Sequence, residues 1–86
     1  MKHLATPSFW YLHRRLPDEV RRLADENFKL LKSDPRHPSL QFKKVGNYWS
    51  ARISLDYRAL AVENEGNLIW FWLGNHREYD RLVANQ

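Results

Sequence analysis

From Thr6 to Leu31 the apolar residues recur at helical spacing, and from Gln41 onward they alternate. Thr6-Pro7-Ser8 is a helix start, and Phe9, Leu12, His13 and Leu16 return to one face behind it. Pro17 breaks that segment and suits the first turn of a second helix, where Asp18 and Glu19 complement the dipole. Val20, Leu23, Ala24, Phe28 and Leu31 make an apolar stripe. Arg21, Arg22, Asp25, Lys29 and Lys32 fall largely outside it. Asp34-Pro35 ends the helix, because the residue before proline avoids the α region. The two segments read as a helical hairpin. A short strand then covers 41–45, and Gly46-Asn47 is a tight turn. The strand over 48–54 alternates, with Trp49, Ala51 and Ile53 on one face and Tyr48, Ser50, Arg52 and Ser54 on the other. A third strand follows over 57–63, then a turn at 64–67, then an apolar strand over 68–73 covered on both faces. Asn75 is an N-cap for a short last helix over 76–83. The pattern predicts an α+β fold: an N-terminal helical hairpin on one face of a four-stranded antiparallel sheet, closed by a C-terminal helix.

Composition keeps this to a single domain, residues 1–86, with one core. Hydrophobic residues make up 43% and aromatics 14% of the chain, so rings supply much of the burial. No cysteine is present, which removes disulfides, thiolate chemistry and the common zinc sites. With no secretory leader and no apolar run of spanning length, the expected location is the cytoplasm, away from membranes. The formal charge of +4 favours an acidic partner, nucleic acid among them.

The candidate chemistry gathers late in the chain. Arg52 sits on a polar strand face, Arg58 opens the next strand, and His76 and Arg77 begin the last helix with Tyr79 one turn on. A meander can bring these to one end of the sheet, with Lys43 and Lys44 nearby. Asp56, Glu78 and Asp80 are scattered among basic residues, which argues against a paired-carboxylate hydrolase and against carboxylate-bound magnesium. Such a set, needing no cofactor, suits RNA cleavage. Arginines clamp phosphate oxygens, histidine exchanges a proton near neutral pH, and a helix start offers backbone N–H groups to a phosphate. Each residue also has a plainer role. Arg52 suits a salt bridge across the sheet, and Arg58 could pair with Asp56, Glu63 or Glu65. His76 suits a capping turn, and Tyr79 suits helix-to-sheet packing. His3, His13 and His37 lack metal-ligand spacing and read as surface residues. Trp70 and Trp72 read as core rather than as base-stacking platforms.

The order of these pieces resembles the RelE/ParE superfamily of bacterial type II toxin–antitoxin toxins. The resemblance rests on Leu16-Pro17 opening a helix, Asp34-Pro35-Arg36-His37-Pro38-Ser39-Leu40, Phe42-Lys43, the strand over 48–53, Tyr57-Arg58 and Gly74-Asn75-His76-Arg77-Glu78-Tyr79. It implies a toxin acting as a ribosome-dependent mRNA endoribonuclease that inhibits translation. The family's other branch poisons DNA gyrase, and a non-catalytic nucleic-acid- or protein-binding relative is a third reading. The resemblance carries catalytic roles to Arg52, Arg58, His76 and Tyr79, and Lys43, Lys44, Ser50 and Arg77 are expected to bind nucleic acid beside them. It implies two partners: an antitoxin with an acidic segment that wraps the toxin, and mRNA on the ribosome. Two departures stand out. Ser50 lies where a lysine is common in the nuclease branch, and residues 1–16 read as helix where the family has a first strand.

Overall fold

A computed structural model describes residues 2–85. Its elements are β1 (His3–Ala5), α1 (Pro7–Arg14), α2 (Asp18–Ser33), a 3-10 turn (Pro38–Leu40), β2 (Lys43–Val45), β3 (Tyr48–Ser54), β4 (Tyr57–Asn64), β5 (Asn67–Asn75) and α3 (His76–Ala84). The α+β class and the helical hairpin follow the sequence pattern. The sheet differs: it has five strands in the order β1-β5-β4-β3-β2. The added strand comes from the segment read as helix. β1 runs parallel to β5, with His3 opposite Leu68 and Ala5 opposite Trp70. Leu68 N–H donates to the Lys2 carbonyl at 2.8 Å, and Thr6 N–H to the Trp70 carbonyl at 3.0 Å. Thr6 then turns the chain into α1 by accepting the Phe9 N–H on its hydroxyl at 3.1 Å.

The helices cover one sheet face. Phe9 and Leu16, Ala24 and Leu31 from α2, Leu40, and Ala51, Ile53, Ala59, Ala61, Leu68, Trp70 and Leu73 from the strands form the core. Trp70 is almost wholly buried, and its cross-strand partner is Ala61. Small residues on β3 and β4 leave room for this large ring. His3 is not a free surface residue. Its Nδ1 accepts the Trp70 indole N–H at 3.1 Å, and its ring meets Phe28 edge-on. His13 holds Asp25 at 2.7 Å, tying α1 to α2, and His37 accepts the Ser39 N–H.

Two irregularities shape the strands. Between Arg52 and Ser54 the β3–β4 register slips, and the Ile53 carbonyl accepts from Asn27 on α2 at 2.7 Å. On β5, Trp70 faces Ala61 and Trp72 faces Leu60, so Phe71 is an extra residue against β4. The β4–β5 turn is Glu65-Gly66, both with positive φ (53° and 81°), the geometry that matches a hairpin's twist.

Candidate functional site

The face opposite α1 and α2 carries the candidate site. Register places three rows on it. Lys43, Ser50, Leu60 and Trp72 form one row. Arg52, Arg58 and Gly74 form the next, toward the β3–β4 turn. Tyr48 lies on the other side, in ring contact with Phe71 at 5.2 Å. α3 packs against β4 and β5 beside the arginine row, and Leu60 and Tyr79 are buried there apart from the main core.

Arg52 and Arg58 are direct cross-strand partners. Like charges placed so cost a few tenths of a kcal/mol, up to about 1, relative to a neutral pair. Among the described residues no carboxylate lies within ion-pair distance of either guanidinium. Burial, and then the Arg52 charge, lower the Arg58 pKa from its ordinary value, while Tyr79, Asp56 and Asp80 oppose the shift. Arg58 stays charged regardless. Its Nη1 donates to the Ser54, Tyr57 and Leu55 carbonyls at 2.7, 2.9 and 3.3 Å. The side chain is therefore clamped on the β3–β4 turn through one nitrogen. The salt-bridge alternatives drawn from sequence, Asp56, Glu63 and Glu65 for Arg58, are not realised.

The same turn anchors α3. The His76 backbone N–H donates to the Asp56 carbonyl at 2.7 Å, and Asn75 caps the helix by accepting the Glu78 N–H at 2.9 Å. Those two N–H groups are taken, so the helix start offers less to a phosphate than its position suggests. The His76 side chain pairs through Nδ1 with Asp80 at 3.1 Å, one helical turn away. A proton on Nδ1 donated to that carboxylate leaves Nε2 as the proton acceptor. The Tyr79 ring lies 5.5 Å from the imidazole, and its phenol is near enough to Arg58 to act on that guanidinium.

The structure thus gathers Arg52, Arg58, His76 and Tyr79 at one end of the sheet. Arg77, exposed in the first turn of α3, is beside them, and Lys43 is one row away at the sheet edge. Two nucleic-acid-binding assignments change. Ser50 is only 2% exposed, so its hydroxyl does not reach solvent. Lys44 pairs with Trp49, whose ring stacks on Phe42 on the helix side, so Lys44 belongs to the other face. Asp80 is the functional neighbour that sequence reasoning passed over. Its signal was present: it stands four residues after His76 at the start of a helix.

No protein-family model and no curated protein matches the chain. Solved structures do. The RelE toxin in the RelB–RelE complex from Methanococcus jannaschii superposes with a TM-score of 0.70 at 18% identity, covering 91% of this chain and 96% of that one. A YoeB/ParE toxin from Agrobacterium tumefaciens gives 0.66 at 20% identity, covering 88% and 99%. The chain has the RelE-type toxin fold. YafQ from E. coli gives 0.66 at 12% identity, over 91% of this chain and 96% of that one, so the agreement lies in the backbone far more than in residue identities. In this RelE-type sheet the arginine pair occupies the end of β3 and β4, with α3 closing beside it. Among the described residues no helix is long and apolar enough to cross a membrane.

Proposed function

We propose that this chain is the toxin of a type II toxin–antitoxin system and acts as a ribosome-dependent mRNA endoribonuclease. The observation that carries the reading is the Arg52–Arg58 pair, two guanidiniums with no carboxylate within ion-pair distance among the described residues, beside the His76–Asp80 pair. Cleavage begins when the substrate 2′-hydroxyl loses its proton to His76 Nε2 and attacks the adjacent phosphorus. The phosphorane gains negative charge, which Arg52 and Arg58 offset. The bond from phosphorus to the 5′-oxygen then breaks, and that oxygen takes a proton from the imidazolium. The products are a 2′,3′-cyclic phosphate and a 5′-hydroxyl. Tyr79 holds the imidazole and packs against the arginine side. The partner is an antitoxin with an acidic segment, which suits the chain's net charge of +4. RelE from Methanococcus jannaschii was solved with RelB as an antitoxin–toxin complex.

The test is induction of the chain without antitoxin, with mRNA ends mapped by primer extension. The wild type cuts within translated codons. His76→Gln reduces cutting about 10²–10⁴-fold, the usual worth of a general base. Undiminished cutting by His76→Gln would overturn the catalytic role. Uncut mRNA together with blocked supercoiling by purified gyrase would replace the nuclease reading with the gyrase one.

A further inference from the structure

The same face holds a feature that phosphate chemistry does not use. In a regular strand Phe71 and Trp72 would point to opposite sides. The extra residue at Phe71 breaks that alternation. Trp72 pairs with Leu60 and so faces the arginine side, and Phe71 meets Tyr48 on that same side. Tyr48, Phe71 and Trp72 are all half-buried, so none of the three is sealed in the core. The Trp72 ring is held over Gly74: a Cβ built at Gly74 would stand 2.5 Å from Trp72 Cζ2. Gly74 is itself the cross-strand partner of Arg58. The open face therefore runs from two guanidiniums to an indole, and on to a phenol and a phenyl ring.

We propose that Tyr48, Phe71 and Trp72 form a base-stacking platform for single-stranded RNA whose phosphate is held by Arg52 and Arg58. Cations that track a backbone, with rings that take base faces, are what binding of unpaired nucleic acid requires. Rows on one strand face are two residues, about 7 Å, apart. Trp72 is one row from the arginine pair, and the Tyr48–Phe71 pair is two. Successive nucleotides of an extended strand can place their bases on these rings while one phosphate stays at the arginines. Lys43 shares the Trp72 row at the sheet edge, where it meets the backbone of the same strand. The guanidiniums call for an anionic occupant, and the rings beside them suit the base faces that RNA has and an acidic peptide lacks. The proposal rests on the nuclease reading for the identity of its ligand.

The test uses the full chain and a 2′-O-methyl RNA heptamer, which binds but cannot be cleaved because the attacking hydroxyl is blocked. Inorganic tripolyphosphate serves as a base-free probe of the arginines. Phe71→Leu and Tyr48→Leu keep apolar bulk and remove the ring. Each is expected to weaken heptamer binding about tenfold, in line with the worth of one stacked base. Each leaves tripolyphosphate binding unchanged, which also shows that the variant is folded. Heptamer binding quenches the tryptophan fluorescence of the wild type more than that of Trp72→Phe, and Arg52→Gln weakens both probes. Wild-type heptamer affinity in both ring variants, with Arg52→Gln still impaired, would overturn the platform and leave the nuclease reading standing. No heptamer binding by the wild type would overturn the platform, while the nuclease reading stands or falls on the mapped mRNA ends. If the ring variants bind the heptamer normally but lose an antitoxin, the face belongs to a protein segment and the platform is overturned.

Discussion

At the scale of single residues, Arg58 and Gly74 separate structural work from functional work. Arg58 bonds three turn carbonyls through one nitrogen. Removing it in Arg58→Ala leaves those carbonyls short of a charged donor, a loss of about 1–3 kcal/mol in chemical denaturation. Arg58→Lys keeps a charge and some of these bonds but loses the fork that grips a phosphate. It is expected to melt close to the wild type and yet to cut mRNA poorly. A Lys variant with full activity would show that charge alone suffices. Gly74 has its φ in the ordinary region, so its requirement is space and not backbone freedom. Gly74→Ala forces the Trp72 ring off its seat. The expected result is a changed near-UV circular dichroism signal, with a stability loss of about 1–3 kcal/mol.

At the scale of elements, β1 is the piece with a built-in sensitivity to acid. Three residues long, it is held by its ladder to β5 and by the His3–Trp70 bond. Nδ1 of His3 accepts from the indole, so a proton there breaks the contact. Burial first, and the Lys32 charge second, lower the His3 pKa below its ordinary value. The unfolded chain therefore binds this proton more readily than the folded one. The resulting stability is present above pH about 6.5 and is lost as pH falls below it. His3→Gln, whose amide oxygen can accept the indole N–H, should flatten the loss in melts taken from pH 7 to 5. An unchanged pH profile would remove His3 from the account. β1 also marks where the sequence became hard to read. A three-residue strand has no periodicity to show, and its partner is more than sixty residues away, so tertiary pairing overrode the helical pattern beside it. The longer strands and α2 carry enough repeats to announce themselves. The bulge at Phe71 had no such signal: four of the six residues from Leu68 to Leu73 are aliphatic or phenyl, and an unbroken apolar run hides a change of face. Ser50 misled for the related reason that a hydroxyl on an alternating strand looks solvated until its neighbours on the same face are known.

For the molecule as a whole, the question is which of its many cations meet the ligand. Lysine and arginine number 14, and a net charge of +4 could bind an anion loosely anywhere. The fold sorts them. Arg14, Arg15, Arg21 and Arg22 sit on the helical hairpin, where Arg15 lies on the Tyr11 ring, Arg21 pairs with Asp18 and Arg22 with Glu26. Lys43, Arg52, Arg58 and Arg77 are grouped around the open face and α3. Each phosphate neutralised on a single strand contributes about −0.7 to the slope of log affinity against log salt. Four contacts predict a slope between about −2 and −3, far shallower than the full set of cations would give. Arg52→Gln should flatten the slope by about 0.7, one phosphate's worth, whereas Arg14→Gln should leave it unchanged. Fluorescence anisotropy of the blocked RNA across a salt series measures both. Equal effects from the two substitutions would mean that the chain binds RNA as a diffuse positive body and that the end of the sheet has no special claim on the phosphate.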